Sequence, residues 1–140
     1  MTGRDDIVRE ARAWIGTPFV WQASAKGRGC DCKGLVVGVA RELGLPEAAS
    51  LYAQMARYRD VDVRLLRAGL DATLIATRKP ERGDVLLLTV GGKPQHLAIM
   101  TEPGRMVHTY GKGPSCVVEV PMGRVWAAAI AGAWTWSNLA

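Results

Sequence analysis

Long apolar runs are missing from this sequence. The longest, residues 85–90 and 125–133, fall far short of the roughly 20 residues that a bilayer-spanning helix needs. The charged opening stretch MTGRDDIVREARAWIG has no apolar core of the kind a secretion signal carries. The expectation is therefore synthesis in the cytoplasm without a signal peptide. Cysteine occurs only three times, as Cys30, Cys32 and Cys116, and an odd count in a reducing compartment argues against a disulfide framework. Aromatics suited to stacking on bases are scarce, with one Phe and three Tyr. The 18 Lys and Arg are scattered, without a long basic run. Nucleic acid is thus not the expected partner. The net charge of +5 still favours a polyanion, and an anionic membrane surface or a bacterial cell wall fits. No glycine-rich phosphate loop is present, and no serine has the context of a nucleophile elbow.

What is present suits one soluble globular domain over residues 1–140, with 49% hydrophobic and 22% charged residues. Residues 5–15 read as a helix with Ile7, Ala11, Trp14 and Ile15 on one stripe. A glycine-rich loop follows over 19–29. A second helix starts near Cys32, with Asp31 as its N-cap, apolar positions at Leu35, Val36, Val39, Ala40 and Leu43, and a stop at Gly44 and Pro46. Shorter helices are expected at 51–58 and 61–68. After Pro80 the texture becomes strand and turn: strands over 83–90, 95–101, 106–110, 116–120 and 129–136, with a short helical turn at 124–127. Asp84 is expected to set the turn before the first of these. Asp60 and Asp62 read as solvated. Helices first and an antiparallel meander second make an α+β fold.

Cys30-Asp31-Cys32 raises the question of chemistry. Zinc knuckles separate paired cysteines by two to four residues and need four ligands, so no metal site is expected here. A disulfide across one residue is strained. Cys32 sits instead at the first turn of a helix, where unpaired N–H groups and the helix dipole favour a thiolate. The same N–H groups can hold a developing oxyanion. Gly34 would let a substrate backbone come close. Alone, Cys32 would be read as a small apolar residue of that helix. Cys30, in the loop before the cap, reads as a packing residue or a reactive bystander, and Cys116 as a core residue.

A nucleophilic cysteine needs a base and a group to orient that base. The chain has two histidines, His96 and His108, each in an expected strand of one hairpin. A three-residue loop at 102–104 would pair Thr101 with Arg105 and put both on one face. A two-residue Pro103-Gly104 turn would put them on opposite faces.

Taken together, Trp14-Ile-Gly-Thr-Pro-Phe-Val-Trp21, Gly29-Cys-Asp-Cys-Lys-Gly-Leu-Val36, Arg82-Gly-Asp-Val-Leu-Leu-Leu88, His96-Leu-Ala-Ile-Met100 and Val107-His108 resemble the NlpC/P60 cysteine peptidases. The match runs from about residue 7 to residue 120, in the family's order and spacing. The loop from Gln22 to Cys32 is similar to a branch found in phage tails and gene transfer agents. The resemblance implies a papain-like fold and cleavage of stem peptides in bacterial peptidoglycan, typically between D-glutamate and a diamino acid, without a cofactor. The family's nucleophile falls on Cys32, its base on His96 and its orienting residue on His108. Phe19, Trp21, Gln22, Asp31 and Lys33 fall where substrate or oxyanion contacts are expected. Two departures stand out. Phe19 occupies the place of a tyrosine that often assists at the oxyanion, and Gln22 or the backbone N–H of Cys32 would have to substitute. Lys33 replaces a common serine and adds positive charge near the sulfur.

The phage-like branch implies a protein carried on a tail, with tail or baseplate proteins as partners, acting on the wall or periplasm. Rival readings are an amidase or acyltransferase on the same Cys-His scaffold, or a weakly active wall-binding tail module. Trp126, Trp134 and Trp136 could pack the core or dock on a tail protein, and core packing is the simpler expectation.

Overall fold

The computed structural model describes residues 1–55, 62–137 and 139. Helix α1 (Arg4–Ala13) opens with Asp5 and Asp6 in its first turn, where carboxylates offset the helix dipole. Asp6 also accepts the Gly3 N–H at 2.8 Å. Ile7, Ala11 and Trp14 are fully buried, as the stripe predicts, but Ile15 is 47% exposed. The helix ends before Ile15, so the helical period no longer directs that side chain inward.

The expected loop over 19–29 contains a small hairpin, β1 (Ser24–Ala25) with β2 (Gly29–Cys30). Helix α2 (Cys32–Glu42) follows, capped by Asp31. Gly44 ends it with φ +67°, a left-handed turn that suits glycine. Leu35, Val36, Val39 and Ala40 are fully buried, and Leu43 is half-buried at the helix end. Gly38 lets Trp14 lie flat on the helix, since a Cβ there would fall 2.2 Å from the indole ring.

Helices α3 (Glu47–Met55) and α4 (Val63–Thr73) take the place of the two shorter helices expected. Their expected junction at Arg59 and Asp60 lies outside the described residues. Asp62 is more than solvated: its carboxylate caps α4 by accepting the Arg64 N–H at 3.0 Å.

The second half forms a six-stranded antiparallel sheet from β3 (Ile75–Ala76), β4 (Val85–Val90), β5 (Lys93–Glu102), β6 (Arg105–His108), β7 (Val118–Pro121) and β8 (Ile130–Thr135), in the order β3-β8-β4-β5-β6-β7. The meander covers β4 to β7, and β8 then returns to pair with β4. The main core lies between the helices and the sheet, with Leu35, Leu87, Leu97, Ile99 and Trp134 among its members. A smaller apolar cluster on the other face contains Leu86, Leu88, Ala98, Met100 and Met106, and Trp126 of α5 (Gly123–Ala128) packs against it.

The strand expected at 116–120 begins two residues late. Ser115 has φ +58°, and Cys116 makes an isolated bridge with Pro18. Cys116 is consequently half-buried rather than a core residue.

Asp84 does set its turn, accepting the Glu81 N–H at 2.8 Å. It also binds Arg4 at 2.7 Å and so ties α1 to the sheet. Trp134 and Trp136 are buried, and their indole N–H groups reach Asp71 and the Gly83 carbonyl. These two tryptophans pack the core.

Candidate active site

Asp31 organises the loop that presents Cys32. One carboxylate oxygen accepts the Gly34 N–H at 2.7 Å and caps α2. The other accepts the Gln22 N–H at 2.9 Å and fastens the preceding loop, where Gln22 holds a left-handed backbone at φ +62°. Gly34 is required by a close approach, though of a different group from the one expected. A Cβ there would lie 1.9 Å from the Ala23 carbonyl oxygen, so the chain's own backbone, rather than a substrate's, occupies that space. Cys32 is half-buried at the start of α2 and Cys30 is fully buried.

The hairpin that carries the histidines combines features of both expected geometries. Glu102 pairs with Arg105 around a two-residue turn, Pro103 and Gly104, with Gly104 at φ +79°. That turn alone would set the histidines on opposite faces. The register then shifts between Met100 and Glu102, so that Met100 pairs with Met106 and Ile99 with Val107. A bulge of this kind adds one residue to one strand and reverses the facing of everything beyond it. Thr101, the extra residue, is fully buried and donates to Glu119 at 2.7 Å. Arg12 holds the same carboxylate from α1.

His96 and His108 therefore share a face, with His96 Nε2 2.8 Å from His108 Nδ1. This contact leaves Nδ1 of His96 for the cleft. If Nδ1 is to accept a proton, the hydrogen of neutral His96 lies on Nε2 and is donated to His108 Nδ1, and His108 carries its own hydrogen on Nε2. Trp126 covers the pair, with ring centroids 5.6 Å from His96 and 5.4 Å from His108.

Burial governs the titration of all four groups. It pushes the Cys32 thiol up to about 11, and the Asp31 charge adds to this. The Leu97 N–H, the Lys33 charge and the Lys33 N–H pull the other way. Burial lowers His96 to about 3, reinforced by His108, which burial itself lowers to about 4. Burial raises Cys30 further, to about 12, with the charges of Asp31 and Cys32 adding to it. At neutral pH the resting site thus pairs a neutral thiol with a neutral imidazole, and Cys30 is inert.

Cys32 and His96 line one cleft of about 340 Å³ together with Phe19, Trp21, Asp31 and Lys33. His108 stands behind His96, outside the lining. Gln22 does not line the cleft either, so it is poorly placed for the oxyanion role expected of it. The cleft also takes Gln95, Thr109, Tyr110 and Lys112, which sequence reasoning did not single out. Thr109 and Tyr110 directly follow His108, and that adjacency was the available signal. Trp126 had none, because its place over the histidines depends on α5 folding back across the sheet.

A family model described as NlpC/P60 family matches residues 16–135. Among solved structures, an NlpC/P60 family protein from Bacillus cereus aligns with a TM-score of 0.68 at 18% identity, covering 97% of this chain and 41% of that one. The NlpC/p60 domain of the peptidoglycan hydrolase SagA aligns with a TM-score of 0.61 at 26% identity, covering 96% of this chain and 99% of the domain. The peptidoglycan hydrolase RipB from Mycobacterium tuberculosis gives a TM-score of 0.59 at 18% identity, covering 94% of this chain and 63% of its own. The chain thus spans less than half of the Bacillus cereus protein but almost the whole of the SagA domain. No match was found among curated proteins. Among the described residues, no helix is long and apolar enough to cross a membrane.

Proposed function

Because the chain belongs to the NlpC/P60 family and has its papain-like α+β fold, we propose that it is a cysteine peptidase that hydrolyses the stem peptides of bacterial peptidoglycan. The observation that carries this reading is one cleft holding Cys32, at a helix N-terminus, and His96, backed at 2.8 Å by His108. The substrate bond fitting the family is the amide between D-glutamate and a diamino acid.

Cys32 gives its proton to His96 Nδ1 as the sulfur attacks the amide carbon. The oxyanion forms beside the N-terminus of α2, where the Cys32 N–H and the helix dipole stabilise it. Phe19 offers no donor there. The C–N bond then breaks, and the imidazolium hands its proton to the leaving amine. Water attacks the resulting thioester while His96 takes one of its protons, and collapse releases the free acid. The proton on His96 returns to the sulfur. His108 accepts the Nε2 hydrogen throughout and fixes the ring. Being neutral, it supports the imidazolium through a dipole rather than a charge.

The loop from Gln22 to Cys32 supports placement in the phage-tail or gene-transfer-agent branch. In that setting a particle carries the protein to the wall, tail or baseplate proteins are its neighbours, and local cleavage opens a path for DNA. The net charge of +5 suits an anionic wall.

The test is digestion of purified peptidoglycan by the wild type, Cys32→Ala and Cys30→Ala, with mass analysis of the released fragments. Cut stem peptides are expected from the wild type and Cys30→Ala and not from Cys32→Ala. Fragments that gain a group, rather than lose a peptide bond, would point to acyl transfer. Wall binding without any cut would replace the peptidase by a binding module.

A further inference from the structure

Thr101 is the polar member of the run Leu97-Ala-Ile-Met-Thr101 and is fully buried. A buried hydroxyl needs a partner, and this one donates to Glu119 Oε2 at 2.7 Å. Glu119 pairs with Val107 across β7 and β6 and so shares its helix-facing side. On that side the same carboxylate accepts Arg12 Nε and Nη2 at 3.0 and 3.1 Å, and Arg105 Nε at 3.5 Å. Helix α1, the β5–β6 hairpin and β7 thus meet on one carboxylate. None of these four residues lines the cleft.

The cluster bears on the site through strand register. Continued without a bulge, the turn at Pro103 and Gly104 would pair Thr101 with Met106 and Ile99 with His108. Thr101 would then share the face of Met106, on the α5 side of the sheet, away from Glu119. His108 would share the face of Ile99, toward the helices. In the observed register Ile99 pairs with Val107 and Met100 with Met106, and His108 comes to lie against His96. The hydroxyl therefore reaches Glu119 in the same register that joins the histidines. A hydrogen bond to a carboxylate is about twice as strong as one between neutral groups, so the contact favours that register.

We propose that Glu119 is a positioning residue for the reaction: with Arg12 it holds the Thr101 bulge, and the bulge keeps His108 behind His96. The catalytic consequence rests on the peptidase reading, whereas the clamp on the histidines does not. Released from the clamp, His108 turns away from the Nε2 hydrogen of His96, and the base loses the group that fixes its ring.

The bond between the histidines reports the clamp directly. In wild-type protein labelled with heavy nitrogen in its histidines, NMR is expected to show coupling through the hydrogen bond between His96 Nε2 and His108 Nδ1. Thr101→Val removes the hydroxyl and nearly keeps the shape, so it reports even if Glu119→Ala fails to fold. It is expected to abolish the coupling and to lower kcat on a stem peptide at least about tenfold with KM within about twofold, because the base moves while the cleft walls stay. Thr101→Ser, which keeps the donor, should retain both coupling and kcat. Glu119→Ala should behave as Thr101→Val does. Arg4→Ala breaks the tie to Asp84 instead, and it should lower Tm while keeping coupling and kcat. Coupling that is absent in the wild type, survives in Thr101→Val or is lost equally in Arg4→Ala overturns the positioning role, whether or not the wild type cleaves. Loss of coupling in Thr101→Val with unchanged kcat overturns it too. Loss in Thr101→Val and retention in Thr101→Ser, in a wild type that cuts no stem peptide, keeps the clamp and overturns the peptidase.

Discussion

At the scale of single residues, the pair Asp31 and Gly34 decides where the sulfur stands. Asp31 was legible as an N-cap from its place before an apolar-periodic run. Its second bond, to the Gln22 N–H, was not, because it joins the helix to a loop whose path depends on Gln22 adopting a positive φ. Gly34 was legible as a position needing space, but the group needing it is the Ala23 carbonyl. Gly34→Ala is expected to push this carbonyl and the first turn of α2 apart. The expected outcome is a loss of about 1–3 kcal/mol in stability and at least about a hundredfold in kcat/KM, since small misplacements of reacting groups are costly. Urea denaturation and peptide hydrolysis check the two together. A loss of stability with unchanged turnover would show that the sulfur tolerates the shift.

At the scale of elements, the bulge in β5 and the helix α5 make the histidine pair. The turn sequence Glu102-Pro-Gly-Arg105 allowed two loop lengths with opposite consequences for His96 and His108. The protein uses the shorter turn and recovers the shared face through the extra residue Thr101, held by Glu119. The strap that holds that bulge reaches from α1 and β7, so no local rule exposes it. Trp126 then seals the pair from solvent, and burial keeps both rings neutral.

Trp126→Ala should let water reach the rings and raise both pKa values toward the ordinary 6.5. Activity requires neutral His96, so the acid limb of the kcat/KM profile should move upward from its low position, by about one pH unit or more. The loss would be greatest near pH 5 and small above pH 7. A uniform fall at every pH would mean that Trp126 serves stability alone.

At the scale of the whole molecule, the same buried histidines link folding to pH. Both have folded pKa values, about 3 and about 4, below the ordinary 6.5. Between these limits the unfolded chain binds more protons than the folded one, so stability rises with pH across that range. It is fully present above about pH 6.5, and it drains away as the pH falls toward 3–4. Denaturation midpoints between pH 4 and pH 7 should show this slope. The double variant His96→Gln, His108→Gln should flatten it, and an unchanged slope would assign it to carboxylates such as Glu119, whose pKa is also lowered, by Arg12 first.

The sequence by itself determined the order of the helices and of strands β4 to β8, the cap at Asp31, the core tryptophans 134 and 136, and the family. Each of these rests on near neighbours in the chain: apolar period, turn chemistry, or residues a few positions apart. Only the tertiary structure decided which face the histidines share, which carbonyl Gly34 accommodates, and that Thr109, Tyr110, Lys112 and Trp126 gather around Cys32 and His96. Those outcomes depend on strand register and on contacts between distant segments, and a single inserted residue such as Thr101 reverses them without leaving a mark in the local pattern.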